Sequence, residues 1–156
     1  MSLKLEYEQD FHQWIEHHIT LLKEGKLNEI DVDHLIAELE DMGKSNRREL
    51  KSRLVVLIAH LLKWQYQYAQ LQDWWKTFTG GSWRATINNQ RTELIDLLKD
   101  SPSLKRFLTD AVSEAYPSAL ELVIEETNLP ESTFPKTCHY TIEQLLDKKF
   151  YPEGRS

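Results

Sequence analysis

The sequence predicts an all-α fold, a single-domain helical bundle of five to seven helices spanning 1–156 around a long central helix at about 45–69. Three observations predict it. Placed at about 100° per residue, Leu50, Leu54, Leu57, Leu61, Trp64 and Tyr68 form one seam, which Val55, Ile58, Ala59, Leu62 and Tyr66 widen past half the circumference. A helix with so broad an apolar surface has to be covered by neighbours. Helix start and stop signals also recur along the chain, and no segment alternates with the two-residue period of a strand.

The elements follow in order. Phe11, Trp14, Ile15, His18, Leu21 and Leu22 keep helical spacing, and Gly25 ends that helix in a left-handed turn. Asp31 or Asp33 caps a short second helix with Leu35, Ile36, Leu39 and Met42 on its buried face, and Gly43 breaks or bends it. The long central helix then runs from about Ser45 to Ala69. An aromatic connection, LQDWWKTFTGGS, closes at Gly80-Gly81, and Ser82 caps a helix carrying Trp83, Ile87, Leu94 and Leu98 on one face. Ser101-Pro102 starts the next helix, a cap followed by proline at the first helical position. Leu104, Phe107, Leu108, Ala111, Val112 and Ala115 follow. Pro117 removes a helical hydrogen bond, so it kinks this helix or opens a new one that runs through Val123 to about Thr127. After a loop with Pro130 and Pro135, Thr141-x-x-Gln144 is the capping box of a last short helix.

The 156 residues, 40% apolar and 28% charged, suit a soluble globular domain with a real core. No apolar run reaches the roughly 18–20 residues that cross a bilayer, and no secretory signal opens the chain. The single cysteine, Cys138, excludes an intrachain disulfide and suits a reducing compartment, so a cytoplasmic location is expected. A net charge of −6 disfavours nucleic acid and anionic lipid as partners. Residues 1–42 carry eleven acidic and three basic side chains, and residues 43–63 six basic and one acidic. Blocks of opposite sign adjacent in sequence are expected to pair internally once the chain turns back.

Four polar residues have core-facing or border phases. His60 borders the seam and is either a base or ligand or a packing histidine with one partner. Gln90 and Arg91 share the phase of Trp83, Ile87 and Leu94. A partly buried guanidinium needs an anion, and Glu38, flanked by Leu35 and Leu39, is the leading protein candidate, a bound ligand the alternative. The sharper expectation is that Glu38, His60, Trp83, Gln90 and Arg91 converge on one pocket able to hold a small anion or move a proton. Asp31, His34 and Glu38, at i, i+3 and i+7 with His18 as a fourth ligand, are weak metal candidates. The second Glu-x-x-His copy of bundle carboxylate sites is missing, and no metal or other cofactor is assigned. Cys138-His139 makes a poor catalytic dyad, because neighbours in an extended loop point apart. Lys44, Arg47, Arg48 and Lys51 form a basic face, either a phosphate contact or the partner of the acidic segment from Glu38 to Asp41. Trp74, Trp75 and Phe78 head an aromatic cluster that suits a protein interface, with a second copy or another protein, or the closing of one end of the core.

Several separated motifs stand in a recognisable order: Asp33 to Gly43 as DHLIAELEDMG, His60 to Gln65 as HLLKWQ, Ser82-Trp83-Arg84 with Gln90-Arg91, and Pro102-Ser103-Leu104. Tyr116, Glu126-Thr127, Phe134-Pro135, Cys138 and Tyr140-Thr141 continue it. Over roughly residues 7 to 152 the chain resembles the domain of unknown function 29 family. His139 departs from the family pattern, which has a second proline there. The resemblance implies a compact helical protein of a mostly bacterial family, numerous in cyanobacteria, and implies no activity. The sequence therefore supports a non-catalytic helical module that acts by protein contact, with a small-anion or enzymatic site at Glu38, His60 and Arg91 as the alternative.

Overall fold

Helical signals become helices throughout the computed structural model, which describes residues 2–74 and 79–153, the side chains of 72–74 excepted. Seven α-helices and three short 3-10 turns form among these residues, with no strand. None of the helices is long and apolar enough to cross a membrane. The chain divides into two compact units, residues 1–46 and 47–156.

The first unit begins with α1 (Leu3–Gln9), a short helix without a sequence periodicity long enough to announce it. Asp10 stops α1 and caps α2 (Phe11–Lys23), its carboxylate accepting from the Gln13 N–H at 3.2 Å. Gly25, at φ +72°, ends that helical run in the left-handed turn expected of it. Asp31, not Asp33, precedes the next helix, α3 (Val32–Tyr66).

Two expectations about α3 are corrected. Gly43 neither breaks nor bends it into two elements, and one helix of 35 residues replaces the predicted pair. A glycine without a left-handed φ costs a helix interior only about 1 kcal/mol, which the turns on either side offset. Because the chain does not turn back there, the acidic and basic blocks follow one another along a single helix.

The second unit holds the hydrophobic core. Leu50, Leu54, Leu57, Ile58, Leu61, Ile87 and Leu94 are fully buried, with Ala115, Ala119, Val123, Phe134 and Leu145 closing around them. The central seam is therefore the axis of this core. α4 (Tyr68–Trp74) follows after one residue. Gly80, at φ +70°, takes the N-cap of α5 (Gly81–Asp100) in place of Ser82, which lies inside the first turn. A Cβ on Gly80 would stand 2.7 Å from the Tyr68 ring and 2.9 Å from the Trp64 ring, so both conformation and space require glycine. Pro102 opens a 3-10 turn (Pro102–Phe107) instead of the helix itself, and α6 (Leu108–Thr127) runs on through Pro117. Asn128, at φ +58°, terminates α6 in the left-handed conformation. The capping box of α7 (Ile142–Leu146) forms as predicted, Thr141 and Gln144 exchanging hydrogen bonds of 2.9 and 3.1 Å.

Candidate functional site

The first unit has an unusual interior. Its one buried large apolar side chain among the described residues is Trp14, and the other buried side chains are Glu6, His18 and Asp31. Asp31 organises them. Its carboxylate accepts from His34 Nδ1 at 2.6 Å and from Trp14 Nε1 at 3.3 Å. Burial alone would push this carboxyl up, but the hydrogen bonds from His34 and Trp14 prevail and hold it below the usual range. His18 has both ring nitrogens engaged: Nδ1 donates to the Trp14 carbonyl, and Nε2 accepts from the Asp31 N–H, each at 2.9 Å. Tyr7 stacks on His34 at 3.8 Å and donates its hydroxyl to Glu38. That bond, reinforced by burial, pushes the phenol up to about 12.

This chemistry bears on the metal candidates. His18 could bind a cation only by giving up the Asp31 N–H, and Glu38 is occupied by Tyr7. No group of three His, Cys, Asp or Glu side chains among the described residues is placed to hold a metal ion. The Asp31–His34 pair has the form of the orienting half of a catalytic triad. His34 Nε2, however, points to within 4.0 Å of the Glu8 carboxylate, a group that accepts a proton and is a poor nucleophile for acyl transfer.

In the second unit Arg91 is fully buried. The carboxylate expected beside it is replaced by three main-chain carbonyls: Nε donates to Leu145 at 2.9 Å, Nη1 to Phe150 at 2.7 Å and Nη2 to Gln144 at 3.0 Å. The guanidinium thereby joins two carbonyls in the last turn of α7, of which that of Gln144 also accepts from the Asp147 N–H at 3.4 Å, to one in the chain beyond it. Phe150 and Tyr151 place their rings about 6 Å from its charge. Gln90 points elsewhere, accepting from Arg53 at 3.5 Å. His60 is half-buried, its Nδ1 donating to the Val56 carbonyl one turn back at 2.9 Å. Burial, with Lys63 nearby, holds its pKa below the ordinary imidazole value. Trp83 is half-buried, with the Lys63 ammonium 5.8 Å from its ring. Among the described residues no buried side-chain nitrogen or oxygen lacks a hydrogen-bond partner. Glu38 belongs to the first unit and His60, Trp83, Gln90 and Arg91 to the second.

An open groove of about 510 Å³ runs between α6 and the loop before α7, lined by Tyr116, Pro117, Cys138 and Tyr140 among others. Cys138 faces the Tyr140 carbonyl at 3.8 Å, and burial pushes its thiol up, away from the thiolate a nucleophile needs. Of the proposed aromatic interface, Trp75, Phe78 and the side chain of Trp74 lie outside the described residues. The neighbouring aromatics close one end of the core: Trp64 stacks on Tyr68 at 4.2 Å and meets Tyr151 at 4.7 Å, with Arg84 over both Trp64 and Tyr151.

The exposed apolar surface lies in the first unit. Leu5, Phe11, Ile19, Leu22, Leu27, Val32, Ile36, Leu39 and Met42 are between 42% and 65% exposed, and all belong to residues 1–46. On α2, Phe11, Ile19 and Leu22 recur at helical spacing, and on α3 so do Val32, Ile36 and Leu39.

A model of the family described as "Domain of unknown function DUF29" matches residues 6–151. The chain belongs to that family. No curated protein and no solved structure matches it. The motif residues on which the DUF29 resemblance rested now have physical roles. Arg91 ties down the chain after α7, and Tyr116 donates to the Pro135 carbonyl at 2.6 Å. Thr141 and Gln144 cap α7. Thr127 donates its hydroxyl to the Val123 carbonyl and accepts from the Leu129 N–H, finishing α6. Glu126 forms an ion pair with Lys63, which is buried although helical phase had put it on the polar strip. Sequence reasoning missed that pair, since its partners lie far apart in the chain. In this DUF29 chain the second unit spends its polar residues on its own packing, and the first unit leaves its apolar ones uncovered.

Proposed function

We propose that this protein acts by contact with another polypeptide, through the exposed apolar face of residues 1–46. The observation that carries the reading is the inversion of that unit: polar groups inside, nine large apolar side chains outside. A unit of this size ordinarily struggles to bury enough surface to hold itself together, and here the interior holds one large apolar side chain. Burying a Leu, Ile or Phe is worth about 1.5–3 kcal/mol. Covering several of these side chains therefore yields enough to offset the entropy of association, and it stabilises the unit as well. The reading assigns the protein to the cytoplasm, where its one thiol stays reduced.

The competing reading, a small-anion or enzymatic site at Glu38, His60 and Arg91, has less support. The Arg91 donors are occupied by carbonyls and Glu38 by Tyr7. A photo-crosslinking residue at Leu39, introduced into the full chain in its native host, tests the contact reading. Adducts to a polypeptide are expected from Leu39 and not from an exposed position of the second unit such as Lys99. Absence of adducts at Leu39 rejects it.

A further inference from the structure

The first unit is uneven in charge as well as in polarity. Between Val32 and Gly43, α3 carries Asp33, Glu38, Glu40 and Asp41 and neither lysine nor arginine. Placed at about 100° per residue, Met42, Leu39, Val32 and Ile36 fall within an arc of about 120°. All four are exposed, from 49% for Ile36 to 65% for Met42. Asp33 and Glu40 border that arc on one side and Glu38 on the other, whereas Asp41 lies across the helix from it. The stretch is therefore an apolar stripe about three turns long between two rims of carboxylates.

The rims are open to an incoming cation. Among the described residues Glu40 takes part in no ion pair, not even with Lys44 one turn on. Asp33 pairs with Lys4 at 3.6 Å, but the two side chains are 83% and 67% exposed. Such a pair is worth little, and another cation can take its place. Glu38 accepts from the Tyr7 hydroxyl, which holds its carboxylate in position and brings no positive charge to it.

Resting on the contact reading above, we propose that the partner lays a basic amphipathic helix on this stripe. Its apolar residues meet Val32, Ile36, Leu39 and Met42, and its lysines or arginines meet the two rims. An apolar ridge at three- and four-residue spacing is the surface against which another helix packs. Carboxylates on both borders, with no cation in the stretch, select a positive partner. They repel an acidic peptide, a nucleic acid or an anionic lipid surface. A second copy does not supply the helix. The chain's own basic stretch, Lys44 to Lys51, has one large apolar side chain, Leu50, and it is fully buried.

A synthetic peptide with leucines at three- and four-residue spacing and lysines at its other positions tests the partner's chemistry. The purified full chain should bind it about tenfold more tightly than the counterpart with glutamates in place of the lysines. Glu40→Lys and Asp41→Lys make the same change of charge at adjacent positions, one on a rim and one across the helix. Glu40→Lys should weaken binding of the lysine peptide by about tenfold and Asp41→Lys by less than about twofold. Leu39→Ser should also weaken it by about tenfold while the helical content stays native. Equal binding of the two peptides, or equal effects of Glu40→Lys and Asp41→Lys, overturns the basic helix. Adducts from Leu39 in the native host would then leave the contact reading standing without it. Binding that Leu39→Ser leaves unchanged is attraction to charge alone and overturns the proposal as well. Absence of adducts at Leu39 removes the contact reading, and this inference with it.

Discussion

Lys63 and Glu126 differ in one respect that decides what each contributes. The Lys63 side chain is 9% exposed, whereas that of Glu126 is 38% exposed. Removing Lys63 leaves a carboxylate that water can solvate; removing Glu126 leaves an ammonium held in the core. Burial already pulls the Lys63 pKa below its ordinary value. The two truncations should therefore be unequal, with Glu126→Ala costing about 3 kcal/mol and Lys63→Met under about 1 kcal/mol, as read by urea unfolding of each variant. His60 makes a second residue-level prediction. Burial places its folded pKa below 6.5, so the unfolded chain accepts a proton that the native state resists. Stability attributable to this group is thus complete above pH 6.5 and declines as pH falls through that value toward the depressed native one. In a comparison of unfolding free energies at pH 7.5 and on the acid side of that step, His60→Gln should remove part of the decline. A variant with the same slope as wild type would exclude His60 as its source.

At the scale of elements, α3 carries both the clearest success of the sequence and its clearest failure. The seam from Leu50 to Trp64 was legible because helical spacing and burial coincide over four turns. The capping box at Thr141 and Gln144 was legible because both partners lie within four residues. Gly43 misled, since sequence weighs glycine as a stop signal while its real cost is small. With open space around its Cβ position, Gly43→Ala should raise the stability of α3 by about 0.5–1 kcal/mol, seen as a higher Tm. Long-range partners were illegible for a different reason. The core-facing phase of Arg91 could be read, but its acceptors are carbonyls 53 to 59 residues away. Main-chain carbonyls leave no signature in side-chain identity, so a carboxylate was the natural expectation. α1 escaped notice because seven residues are too few to establish a period.

At the scale of the whole molecule, the two units differ in what holds them. The core cluster from Leu50 to Leu145 belongs wholly to residues 47–156, and the first unit relies on Trp14 and the polar network around Asp31. Local stability is set by buried apolar contact, so the first unit should be the part of the chain that opens most readily. Burying its apolar face against a partner polypeptide adds the contact it lacks, and by mass action that stabilisation grows with the partner's concentration. Amide hydrogen exchange can separate the two contributions residue by residue. Protection of α1, α2 and the Val32–Gly43 turns of α3 is expected to fall well below that of α5 and α6 in the isolated chain and to rise when a partner covers the face. Protection of α5 and α6, which bury their apolar faces within their own unit, should be the same with and without the partner. If the first unit instead proves as protected as the second in the isolated chain, its polar network alone holds it, and its apolar face is not what makes it whole.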